Sequence, residues 1–344
     1  MLLDKNKFQL DTVQFLRFVA ATMVLMTHIS ADIHRRIDSN FPEWSFGQQG
    51  VPLFFVISGF IMTIRTSQIY QNPGVARKFA ISRIIRIAPL YWTLNLIKIA
   101  GLTLVPAMIM ASPNISNIIY SLFFLPARNT KGEIEAFYGV GWTLNFEMFF
   151  YALFTIALIM HKRPSWMTLP ILAAGFLLSF YKNDAWPTCT FFLSFYLIYF
   201  MWGILIGELY LIFPKVPVYI SILVLSTGIL MLIPWDNFLG NRHYEYLNYL
   251  QPQYAAILFG FVSLERRFHN KIPKPFIFLG DASYSIYLTH PITGVFVVVG
   301  LSKFHGLSST LIFEISCGVS IIIACLVYLY YERPVTRYLS EKYK

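Results

Sequence analysis

Arg17 and His28 stand in a run that is otherwise written for lipid, RFVAATMVLMTH. At about 100° per residue the interval from 17 to 28 returns to nearly the same helix face, with a rise of about 16 Å. Arg17 then lies near one membrane boundary, where a guanidinium either snorkels to water or binds an anion. An imidazole at the depth of His28 is costly unless it faces protein or water. This makes His28 a candidate general base, with a hydrogen-bonded packing histidine as the alternative.

Three further groups carry polar chemistry at spacings that matter. Arg83 and Arg86 are i,i+3 neighbours ahead of Pro89 in SRIIRIAPLYW, and paired guanidinium groups at a membrane mouth suit phosphate recognition as well as topology. Asn145 and Glu147 in GWTLNFEMFFY fall close to the outer end of the fourth span, where the carboxylate either bonds a Tyr or backbone group or orients His28. Tyr284 and His290 in LGDASYSIYLTHP are supporting candidates among small and hydroxylated residues that also serve helix packing. Glu332 reads as an inner-boundary anchor or ion-pair partner, and Asp32 and His34 as solvated residues beyond the first span.

The elements that must position these groups are membrane helices. Of 344 residues, 56% are hydrophobic and 13% charged, outside the balance of a soluble domain. Spans of about twenty apolar residues are predicted at 13–30, 48–65, 87–105, 139–160, 166–181, 190–212, 217–234, 249–264, 276–300 and 308–331. An all-α integral membrane protein of about ten helices follows, forming a single transmembrane domain with no appended soluble domain. Pro89 is expected to kink or restart the third helix.

The basic residues concentrate in alternate connections, around Lys5 and Lys7, Arg77 and Lys78, Lys162 and Arg163, Arg266 and Arg267, and Arg333 and Arg337. That asymmetry places both termini in the cytoplasm. It also accounts for most of the formal charge of +10 without a nucleic-acid partner. The apolar middle of PNISNIIYSLFFLPARN, within 106–138, is too short to span and is expected at the outer interface. Cys189, Cys317 and Cys325 have neither CxxC spacing nor a histidine at metal-ligand spacing, so no metal site is expected.

The blocks QFLRFVAATMVLMTH, FGQQGVPLFFVISGFIM, SRIIRIAPLYW, GWTLNFEMFFYALF, LGDASYSIYLTHPI and YYERP, in this order along nearly the whole chain, resemble acyltransferase family 3. These are integral-membrane O-acyltransferases, and the wording of the fourth block is most similar to the exopolysaccharide acetyltransferase branch. The resemblance implies a bacterial cytoplasmic-membrane enzyme with no bound cofactor. It would take acetyl-CoA or another acyl-CoA as donor and a polysaccharide or lipid-linked glycan as acceptor.

It also implies that Arg17 and His28 are essential and that Arg83 and Arg86 match the family's RxxR pair, as donor-binding groups. Gln14 and Pro52 stand where many members have Asp, so no role attached to those carboxylates transfers to this chain. A transporter or flippase for a glycan, lipid or anionic solute would use intramembrane Arg and His in a comparable way.

Overall fold

Apolar stretches broken by Pro, Gly and basic residues fold this chain into helices, with no strand among the described residues. A computed structural model describes residues 10–104, 114–183, 186–233, 250–304 and 306–343. Lys5, Lys7, residues 106–113 of the interfacial stretch, and positions 105, 234 and 249 at the ends of predicted spans lie outside them.

The helices are α1 (Asp11–Arg36), α2 (Gly50–Thr66), α3 (Val75–Leu104), α4 (Ile115–Leu122), α5 (Gly141–Ile159), α6 (Pro164–Ser179), α7 (Leu197–Ile212), α8 (Val218–Leu230), α9 (Gln253–Ser263), α10 (Lys274–Asp281), α11 (Ser283–Leu301), α12 (Ser309–Val327) and α13 (Arg333–Lys342). A π-helical turn, Tyr328–Glu332, joins α12 to α13.

Each predicted span overlaps a helix. Among the described residues, five stretches are long and apolar enough to cross a membrane: Asp11–Arg36, Ser45–Thr66, Gly141–Ile159, Ser283–Leu301 and Ser309–Lys342. Four more apolar helices, α6 to α9, are shorter. An apolar bundle that satisfies its backbone within helices fits an integral membrane protein. The short α4, with Ile115, Ile119 and Tyr120 exposed, lies where the sequence predicted a non-spanning segment.

Several boundaries differ from expectation for identifiable reasons. Helix α3 starts at Val75 and runs through Pro89, whose carbonyl accepts from Thr93 Oγ1 at 3.0 Å. The predicted 190–212 span is interrupted: Phe191 and Phe192 pack on Phe146 and Phe149 at 4.8 and 4.7 Å, and the α-helix begins only at Leu197. Helix α1 extends to Arg36, so Asp32 is buried rather than solvated and pairs with Arg35 and Arg36 at 3.3 and 3.4 Å.

Close approach of backbones sets the frame around α1 and α2. A Cβ on Gly203 of α7 would sit 2.1 Å from the Val56 carbonyl of α2, so only glycine permits that crossing. Helices α1 and α11 run side by side in the same sense, because Gly280, just ahead of α11, meets Gln14 near the start of α1 and Gly294 meets Ile29 further along. The start of α1 is capped from far away in the sequence. Glu265 accepts from the Asp11 and Thr12 amides at 2.9 Å each and from Thr12 Oγ1 at 2.5 Å, pairing orphan donors with a carboxylate at the positive end of the helix.

Candidate active site

Two polar clusters lie along α1. The first forms where His28 of α1 meets His290 of α11, with ring centroids 4.7 Å apart in an edge-on arrangement. The Val24 carbonyl lies 3.0 Å from His28 Nδ1, and the Ile286 carbonyl 3.3 Å from His290 Nδ1. A carbonyl oxygen only accepts, so each Nδ1 carries the proton and each neutral ring keeps its lone pair on Nε2.

His290 is 1% exposed, and its Nε2 has no partner among the described residues. His28 is half-buried, so of the two it is the one a substrate can reach. Tyr287 lies 5.9 Å from His290 and shares a 2.8 Å hydrogen bond with Thr143 of α5.

The second cluster gathers guanidinium groups from three helices. Arg86 of α3 donates through Nη1 to Glu332 at 2.7 Å, Ser285 of α11 donates to the other Glu332 oxygen at 2.6 Å, and Arg86 lies 5.4 Å from the Tyr284 ring. The Tyr284 hydroxyl is itself fixed by donating to the Ile87 carbonyl at 2.7 Å. Arg83 stacks against Phe79 and Tyr151 at 5.5 and 5.8 Å, and Arg17 donates to Gln14 at 3.1 Å.

Arg17 lies within electrostatic reach of Arg86, Asp281, Glu332 and Glu147. Arg65, at the end of α2, feels the charges of Arg83 and Arg86. Neither Arg17, Arg65 nor Arg83 forms an ion pair with a described carboxylate. Guanidinium groups set side by side, with one of them ion-paired to a described carboxylate, offer donors of the kind that suit a phosphate or other anion.

Glu147 belongs to this second cluster and does not touch His28. Its carboxylate accepts from Ser58 at 2.7 Å and from Tyr151 at 3.4 Å, within reach of the charges of Arg17 and Arg86. Counting depth from the start of α5 puts Glu147 level with His28, but the start of α5 is packed within the protein. Tyr138, Val140 and Gly141 are buried, and the Tyr138 hydroxyl bonds the Leu288 carbonyl close to His290. A Cβ on Gly141 would meet the Tyr91 hydroxyl at 2.5 Å. The helix therefore begins at the depth of the histidines, and Glu147 lies further along, toward the arginines.

Asn145 is buried, with Oδ1 unpartnered among the described residues. Arg65, Ser58, Tyr151 and Ser285 are the members that sequence reasoning missed. Arg65 looks like an ordinary boundary charge, whereas the i,i+4 spacing of Glu147 and Tyr151 is a legible signal. Outside both clusters, Asp11, Glu265 and His269 bring one ligand atom each within 4.8 Å of one another, but the two carboxylates are engaged by the backbone and hydroxyl donors around the start of α1.

Comparison with known proteins extends over the same frame. The chain is 32% identical over 311 residues to the exopolysaccharide production protein ExoZ of Rhizobium meliloti (strain 1021), covering 86% of this chain and 91% of that protein. No solved structure matches. The family described as "Acyltransferase domain" matches residues 10–330, which include Arg17, Arg83, Arg86, Glu147 and both histidines, and the chain belongs to that acyltransferase family.

Proposed function

We propose that the protein is an O-acyltransferase that moves an acyl group, acetyl in the first place, from acyl-CoA to a hydroxyl of an exopolysaccharide or its lipid-linked precursor. The observation that carries this reading is the division of α1 between two clusters about 16 Å apart along the helix. One is rich in unpaired guanidinium groups, and the other holds an accessible imidazole with its Nε2 lone pair free. The phosphates of a CoA donor suit the first, and its extended pantetheine arm suits the interval to the second. The exopolysaccharide acceptor is suggested by the name of the ExoZ relative.

In this mechanism His28 Nε2 takes the proton of the acceptor hydroxyl as its oxygen attacks the thioester carbonyl. The tetrahedral intermediate collapses with cleavage of the carbon–sulfur bond, and the imidazolium returns the proton to the CoA thiolate. His290 excludes water from the opposite edge of the ring. Arg17, Arg83 and Arg86 hold the donor, and Glu147 balances part of their charge.

The same reading places a multi-pass protein in the bacterial cytoplasmic membrane with both termini inside, so the donor arrives from the cytoplasm. Membranes carrying the protein, given acetyl-CoA with and without glycan acceptor, should release CoA thiol only with acceptor. Movement of a solute without thioester cleavage would instead support the transporter reading and overturn this one.

A further inference from the structure

Glu332 contacts two helices through one carboxylate, and the arginine it holds is fixed unlike its neighbours. Arg86 is fastened by the Glu332 oxygen at 2.7 Å and packed over the Tyr284 ring, while Ser285 fastens the far side of the same carboxylate at 2.6 Å. The carboxylate is 2% exposed and the Arg86 side chain 30%, a half-buried ion pair that contributes little net stability relative to apolar packing. A π-turn presents it. In that turn the neighbouring Tyr331 also reaches α3, sharing a 2.6 Å hydrogen bond with Thr93, so two consecutive residues dock on neighbouring helices.

Of the arginines in the cluster, Glu332 forms an ion pair with Arg86 alone. Arg17 and Arg83, both within electrostatic reach of Arg86, have no comparable clamp. Only one of the five Arg86 donors is taken by Glu332, leaving a guanidinium of fixed plane with donors to spare.

We infer that Glu332 is a positioning residue for the acyl donor: it sets the Arg86 guanidinium in place so that its remaining donors engage the phosphate groups of the CoA moiety together with Arg17 and Arg83. The inference rests on the acyl-CoA reading above. It assigns the π-turn a task in donor recognition, and it gives an unusual sign to the effect of removing a negative charge. Glu332→Gln raises the net positive charge of an anion site. If Glu332 acted only through its charge, the variant would bind donor more tightly; if it positions Arg86, the variant binds donor more weakly.

The test uses the full chain in nanodiscs with acetyl-CoA as the probe, measuring equilibrium binding, steady-state transfer and thermal unfolding. Glu332→Gln is expected to weaken acetyl-CoA binding about ten-fold, the loss typical of a mis-set charge-assisted hydrogen bond, with kcat at saturating donor kept within about two-fold. Ser285→Ala, which leaves the ion pair and frees one carboxylate oxygen, should shift affinity in the same direction by a smaller factor and serves if the first variant accumulates poorly. Adding Arg86→Gln to Glu332→Gln should cost little further affinity, because both act through one guanidinium.

Unchanged or tighter acetyl-CoA binding in Glu332→Gln or Ser285→Ala, beside a wild type that binds and an Arg83→Ala variant that binds more weakly, overturns the inference and leaves the acyl-CoA reading standing. Absence of acetyl-CoA binding by the wild type overturns both.

Discussion

The arginine cluster and the histidine pair share α1 but are built by opposite means. The first draws residues from α1, α2, α3, α5, α11 and the π-turn and is charged throughout, with one ion pair closed and other guanidinium groups left open. The second draws its two rings from α1 and α11 and one hydroxyl from α5, and closes each Nδ1 locally on its own helix. A region that holds a polyanion needs many donors and tolerates solvent. Proton transfer instead needs one lone pair in a dry, defined place. On the proposed function the difference separates holding the donor from making the new bond, and substitutions at each end should then separate the same two properties.

The largest effect is expected at the histidine end. His28→Ala should lower acyl transfer by about 10²–10⁴-fold, the usual loss of a general base, measured as label moved from acetyl-CoA to glycan. Next comes the closed ion pair, because Glu332→Ala removes the bonded carboxylate of a half-buried Arg86 and leaves Ser285 unpaired. We expect about 1.5–3 kcal/mol lost, read as a lower unfolding midpoint in detergent micelles. Arg83→Ala should weaken acetyl-CoA binding by about 1.5–3 kcal/mol while leaving kcat at saturating donor nearly unchanged, the reverse of the His28 pattern. The smallest effect on the donor lies outside both regions. Glu265→Gln sets an amide NH2 against one of the two α1 N–H groups that the carboxylate accepts from, and should cost about 1–3 kcal/mol of stability with no change in donor affinity.

What the sequence reveals of this arrangement depends on whether partners share an element. Arg17 and His28 are legible because the helical period alone relates them, and Arg83 and Arg86 for the same reason. The pairing of His28 with His290 is not, since it depends on α1 and α11 lying side by side, which Gly280 and Gly294 permit but do not announce. Glu147 is misplaced by any depth count that starts α5 at the membrane surface, because Tyr138 and Gly141 begin that helix inside the protein.

Arg65 is hidden among boundary charges whose topology explains them well enough. At Pro89 the helix runs on rather than restarting. A proline inside a long helix removes one hydrogen bond, and packing by Tyr284, Tyr331 and Thr93 around that turn holds α3 as one helix.

The division of labour along α1 is tested most directly by the acetyl-CoA affinity of His28→Ala, measured by equilibrium binding to the full-length protein beside its transfer rate. The account predicts a dissociation constant equal to wild type with transfer reduced at least about a hundred-fold. Retained transfer, or loss of donor binding in step with transfer, would contradict it.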